Sequence, residues 1–303
     1  MGIIMPAFST HYIFAEEMME KVKEIADFDI NKNAVLIGTQ GPDIFFFHRA
    51  FPWQKGKPLR KLGSALHREK AGKLLNRLYE YCQKTNSDIA KSYAFGFILH
   101  YALDRICHPY VYYLQNKITD SQPKFNPHSA HNIIELSLDS LMLSLYLNVE
   151  KPTLFETEKA IDLTENELKE ISDEISFLAD VSSESVKTAI LDMKNMQRLL
   201  LDKKGRKKQI IASLEKMVSP FTKNFLLSSY FRTDDLEKAK EYANIYHNKW
   251  KSPFCDKISN DSFFDLYEKA KADAEKLLIK WQNGADGEAI TNNLSFLTGV
   301  EVK

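Results

Sequence analysis

Nine residues limit what this chain can fold into more than any other stretch: His100-Tyr-Ala-Leu-Asp104-Arg-Ile-Cys-His108. His, Asp and His recur at every fourth position. On a helix they share one face, each about 6 Å from the next along the axis. The flanking residues Phe97, Ile98, Leu99, Ala102, Leu103 and Ile106 are apolar. Burying such a helix buries three polar groups with it, which is costly unless a partner satisfies them. Divalent cations satisfy several at once.

A second face of the same kind follows at His131-Asn-Ile-Ile-Glu135-Leu-Ser-Leu-Asp139. Two such faces opposed in a helical bundle build a cavity for several metals. The spacing also divides the ligands. His100 and His108 lie about 12 Å apart along the axis, whereas a Zn–N bond is about 2.0–2.1 Å. The face therefore suits two or more ions, with Asp104 placed to bridge two of them. Nitrogen and carboxylate donors without thiolate fit zinc, and also manganese, iron or cobalt. Of the eight histidines, only His247 lies beyond residue 131.

Gly and Pro are scarce, at 11 and 10 of 303 residues, and strand-like alternation of convincing length is absent. The fold class expected is all-α. Phe14, Met18, Val22 and Ile25 mark a helix over 12–27. Asn31, Asn33, Gly38, Gly41, Pro42, Pro52, Gly56 and Pro58 break 31–62 into loop and short helices. Helical texture covers 62–84 and 88–108, with Pro109 limiting extension, then loop over 117–129 and a helix over 129–147. Thr164 and Glu167 form a capping box before a stripe of Leu168, Ile171, Ile175 and Leu178. Further helices are expected near 184–202, 206–218, 233–250 and 261–283. Residues 1–150 read as a metal-binding catalytic core and 151–303 as additional helices packed on it as one globular unit.

Net charge is zero, which argues against a long polyanion as partner. Cys82, Cys107 and Cys255 form no CxxC pair, so neither a zinc ribbon nor a disulfide framework is expected. The N-terminus lacks a basic region and an apolar core, and the longest apolar run, near Tyr93–Leu103, is too short to span a bilayer. The localisation expected is cytoplasmic.

The ordered set of Thr10-His11, Gly41-Pro42-Asp43 followed by aromatics, His67, Gly96-Phe-Ile-Leu-His100 through His108-Pro, and His131-x3-Glu135 resembles the zinc-dependent phospholipase C family. That family includes bacillus phospholipase C and the catalytic domain of clostridial alpha-toxin, and is more distantly similar to single-strand-specific fungal nucleases. The resemblance covers residues 1 to about 150. It implies a multi-helix bundle with a cluster of two or three zinc ions between core helices, and hydrolysis of a phosphodiester in a phosphoester small molecule or phospholipid headgroup. By resemblance, Asp43, His67, His100 and Asp104 hold the first ion, His108, His131 and Glu135 the second, and His11 with Asp104 the third. Asp43 is implied to orient the attacking water. Asp139, one turn beyond Glu135, is expected to hydrogen-bond a ligand histidine. In secreted members a processed N-terminal tryptophan completes the third site. Here ten residues precede His11 and no tryptophan lies near the start, so that site is weaker, absent, or completed by other groups.

Other candidates read as structural. His48 has no partner at ligand spacing, His128 is not counted as a ligand, and His247 is expected on a helix surface. Phe45, Phe46 and Phe47, with Phe51 and Trp53, read as core and loop packing rather than a lipid-binding lip. KKGRKK at 203–208 reads as a solvated turn. A nucleotide or single-stranded nucleic acid substrate, and a non-catalytic metal-binding protein, are the competing functions. An HD-type phosphohydrolase and a ferritin-like di-iron site both lack their motifs here.

Overall fold

In the computed structural model of the chain, described over residues 8–51, 53–122, 125–218 and 227–302, regular structure is almost entirely helical. The first half runs through α1 (Phe8–Ile25), α2 (Lys32–Gly38), α3 (Ile44–Phe47), α4 (Arg60–Leu66), α5 (Ala71–Thr85), α6 (Asp88–Ser121) and α7 (Pro127–Leu147). The second half adds α8 (Glu165–Ala179), α9 (Ser183–Leu200), α10 (Arg206–Val218), α11 (Leu236–Tyr242), α12 (Phe263–Gln282) and α13 (Gly287–Thr291), with one antiparallel pair, β1 (Trp250–Lys251) and β2 (Ile258–Ser259). Pro52 and Pro123, two of the expected breaks, and the segment before residue 8 lie outside the described residues.

Local chemistry sets the helix ends. Ser87 accepts from the Ala90 N–H to open α6, and Asn126 with Pro127 at the first position opens α7. The Thr164–Glu167 capping box forms at the start of α8. Asn86, Asn148 and Asp180 end α5, α7 and α8 in the left-handed conformation.

The middle of α6 is buried on nearly every side, from Tyr93 to Asp104. A helix apolar all round has to be surrounded; α2, α5, α7, α8 and α12 pack on it, and α1 fits against α7 and α12. The α2–α6 crossing is backbone to backbone: a Cβ on Gly38 would stand 2.3 Å from the Tyr93 carbonyl, and one on Gly96 2.2 Å from that of Val35. This close approach carries Thr39 and the Gly41 turn up to His100.

Three elements depart from the sequence reading. Pro109 lies inside α6, which continues to Ser121. Losing one N–H and crowding the preceding turn costs about 3 kcal/mol, and packing around α6 outweighs it. Gly299, at φ +63°, lies where a Cβ would come within 2.8 Å of the Arg105 carbonyl, so the C-terminal segment covers the acceptor that Pro109 frees. The helical stretch over 62–84 divides between α4 and α5, with His67 capping the first. The helix expected over 233–250 stops at Tyr242. Asn244 and His247 turn to positive φ there, and the Asn244 amide donates to the Asn248 and Asp261 carbonyls at 3.0 Å each. That side-chain competition for the backbone ends the helix and leaves His247 on a turn rather than a helix surface.

The second half closes over the first. α12 runs against α6 and α1, α13 against α5, and α9 against α3. Tyr101 donates to the Leu294 carbonyl at 2.9 Å, and Phe296 is fully buried beside it.

Candidate metal centre

α6 presents Asp104 and His108 to a cavity of about 130 Å³, with His100 fully buried behind it against Asp104. α7 faces it with His131 and Glu135, the first turn of α1 with His11, the end of α4 with His67, and the Gly41-Pro42-Asp43 turn with Asp43. Gly41 has a physical requirement: φ is +48°, and a Cβ would stand 2.4 Å from the His100 ring. Only glycine lets the turn press Asp43 against this face.

The structure brings all eight expected ligand residues together, each buried or nearly so. Their donor atoms fall into three groups: Asp43, His67 and His100; His11, His100 and Asp104; and His108, His131 and Glu135. Asp104 stands at the centre. His11 Nε2 lies 3.2 Å from its Oδ1, and His100 Nε2 lies 3.2 Å and His108 Nδ1 3.5 Å from its Oδ2. His67 Nε2 is 3.1 Å from Asp43, and His131 Nε2 is 3.1 Å from Glu135. His100 and His108 fall in different groups, as their separation along α6 requires.

The outer ring nitrogens say which atoms point inward. His100 Nδ1 meets the Thr39 carbonyl at 3.1 Å, His67 Nδ1 that of Gly63 at 2.8 Å, and His108 Nδ1 that of Phe296 at 3.2 Å. His131 Nδ1 meets Gln115 Oε1 at 3.0 Å. A carbonyl oxygen only accepts, so each Nδ1 carries a proton, and in its neutral form each ring turns an Nε2 lone pair inward toward the carboxylates. Those lone pairs face carboxylate oxygens. Acceptor facing acceptor in a buried site is repulsive unless protons or cations intervene. His11 Nδ1, His100 Nε2, Asp104 Oδ2 and Glu135 Oε2 are buried without a hydrogen-bond partner. Five imidazoles and three carboxylates so arranged fit divalent cations, and the donor set fits zinc.

The electrostatics agree. Burial would raise the Asp104 pKa, but His100, His108 and His11 hold it well below the usual carboxylate range. Glu135 is likewise resisted by burial yet drawn down to about 2 by His131 and His108. Burial lowers His100 to about 4, so its ring stays neutral. For His108 burial pulls down, but Asp104 and Glu135 prevail and raise it to about 10: with no cation between them, these carboxylates draw a proton onto the ring, at the place a divalent ion would take.

Asp139 departs from expectation. Its carboxylate accepts from the N–H groups of Ser9 and Thr10 at 2.9 and 2.8 Å and from the Thr10 hydroxyl at 2.6 Å, rather than from a ligand histidine. It caps α1 from α7 and so fixes where His11 stands. The groups that sequence reasoning missed are mostly backbone carbonyls, at Thr39, Gly63 and Phe296, which carry no side-chain signal. Gln115 was also missed, although it lies two turns beyond His108 on the same helix. Non-ligand residues of the cavity wall are Phe46, Ser64, Arg68, Tyr112 and Leu297.

The zinc-dependent phospholipase C family matches the chain over residues 10–185. The chain belongs to that family. No curated protein and no solved structure matches it. The family match extends past α7 into α9, and the all-α bundle is the fold that the resemblance implied.

His48 is structural: Nδ1 accepts from the Leu59 N–H at 3.1 Å, away from the cavity. Phe45, Phe46 and Phe47 are buried, whereas Trp53 is 72% exposed and stacks on Phe51. His128 lies half-buried in the first turn of α7.

Proposed function

We propose that this member of the zinc-dependent phospholipase C family hydrolyses a phosphodiester of a phospholipid headgroup or similar small phosphoester at the α6–α7 cavity. The observation that carries the reading is the set of inward Nε2 lone pairs, locked by outer carbonyls, opposite three buried carboxylates. His100, His67 and Asp43 would hold one ion, His108, His131 and Glu135 a second, and His11 with Asp104 a third, Asp104 being shared. Divalent cations there supply Lewis acidity toward phosphate oxygens and lower the pKa of water to about 7.

The chain's own residues supply the rest. Asp43, on the glycine turn, orients the attacking water. Tyr112 is pushed up to about 12 by burial and by Glu135 and Asp104, so its phenol stays a neutral hydrogen-bond donor. Arg68 is exposed at the same wall and makes no ion pair among the described residues, leaving a cation free for a phosphate oxygen. Phe46 and Leu297 exclude water from one side.

The test is metal analysis of the purified protein followed by turnover of p-nitrophenylphosphorylcholine, bis-p-nitrophenyl phosphate and single-stranded DNA. Bound zinc with turnover of the choline ester supports the phospholipase reading. Cleavage of DNA in preference to the esters transfers it to nucleic acid. Zinc without turnover of any of them leaves a metal-binding protein.

A further inference from the structure

α10 turns its apolar side outward. Ile210, Leu214 and Met217 recur at four and three residues, one helical stripe, and stand 60%, 57% and 75% exposed. Two polar residues of the same helix, Lys208 and Glu215, turn toward the protein. Lys208 donates to the Phe231 and Arg232 carbonyls at 3.2 Å each, and Glu215 accepts from the Ser228 N–H at 3.0 Å. A helix on a watered surface has the reverse arrangement. Leu199 at the end of α9 and Leu227 are exposed as well, at 48% and 53%.

Cations border this stripe. Arg206 is exposed one turn before Ile210 on the same face, and Arg198 and Lys204 line a shallow concavity beside it. Within the KKGRKK run, Lys203 pairs with Glu156 and Lys207 is taken up by the Leu199 and Leu201 carbonyls. Arg198, Lys204 and Arg206 have no ion-pair partner among the described residues. Part of the run is therefore a turn, and part is charge left unanswered next to exposed apolar side chains.

We propose that α10, with these three cations, is an interfacial helix that docks the protein on an anionic phospholipid surface. Ile210, Leu214 and Met217 enter the boundary between headgroups and acyl chains, and Arg198, Lys204 and Arg206 bind lipid phosphates. The charge pattern favours this occupant over a second copy, because a two-fold contact through this face would set the cations against their own images. No described helix is long and apolar enough to cross a membrane, so the attachment is peripheral. The inference is independent of the phosphodiester reading, since docking is measured without turnover.

The test is co-sedimentation of the full chain with vesicles of phosphatidylcholine alone or mixed with phosphatidylserine. The expected result is binding that needs phosphatidylserine and falls with added salt. Leu214→Glu weakens it about tenfold or more, and Arg206→Gln and Lys204→Gln about fivefold each, with circular dichroism unchanged because these side chains are exposed. Headgroup release followed in the same samples reports on catalysis separately; docking without release leaves the docking inference standing. It is overturned if the wild type does not sediment with phosphatidylserine vesicles, if all three variants bind as the wild type does, or if the wild type is a dimer that Leu214→Glu dissociates without any vesicle binding.

Discussion

Replacing Asp104 by Asn keeps the side-chain shape and removes one negative charge from the centre of the site. Four histidine nitrogens lie within 3.8 Å of its oxygens, His11 at Oδ1 and His67, His100 and His108 at Oδ2, so the carboxylate touches members of all three donor groups. A unit charge about 4 Å from a positive charge, at an effective dielectric of about 20, is worth on the order of 4 kcal/mol. Even half of that, about 2 kcal/mol, is roughly 30-fold in affinity, and the full value approaches 10³-fold. Because Asp104 touches all three groups, more than one ion loses affinity. The assay is competition for zinc against a chromophoric chelator, with metal content by mass spectrometry and melting of the metal-free protein as the control for folding. If Asp104→Asn binds zinc with wild-type stoichiometry and affinity, the carboxylate does not face a cation and the proposed sharing is wrong.

Gly41→Ala is expected to cost about 2–4 kcal/mol in urea unfolding, from a strained positive φ plus overpacking against His100, and to lower zinc content by displacing that ring. Asp139→Asn weakens the charged cap on α1 by about 2 kcal/mol and selectively depletes the ion nearest His11; loss of stability with unchanged zinc stoichiometry would leave Asp139 a purely structural cap. Glu174 is buried between α8 and α5, 3.9 Å from Cys82 Sγ, and burial raises its pKa well above the ordinary carboxylate value. The folded state therefore holds the proton more tightly than the unfolded state, so its contribution is fully present below about pH 4.5 and is lost as pH rises toward the folded value, by about 1.4 kcal/mol per pH unit. Glu174→Gln lacks that loss, so its melting temperature relative to wild type should climb between about pH 5 and pH 8; a gap that stays flat would show that Glu174 is ionised in the folded protein.

Much of the site was legible because the relevant signal is local. A four-residue step fixes His100, Asp104 and His108 on one face, and His131 with Glu135 on another, whatever else the chain does. The apolar residues between them require that those faces be buried. The Thr164–Glu167 box is equally local. By contrast, the extent of α6 was misjudged because Pro109 is a local penalty and the packing that overrides it is not.

The sequence by itself determined the helical class and the separation of His100 from His108 into different donor groups, because helical periodicity depends only on near neighbours. Only the tertiary structure decided which carbonyls orient the imidazoles, that Phe296 reaches back from the C-terminal segment to hold His108, that Asp139 caps α1, and that α10 turns its apolar stripe to the outside. Those outcomes depend on contacts between residues far apart in the chain, where backbone groups common to every residue do the work and no pattern of side chains announces them.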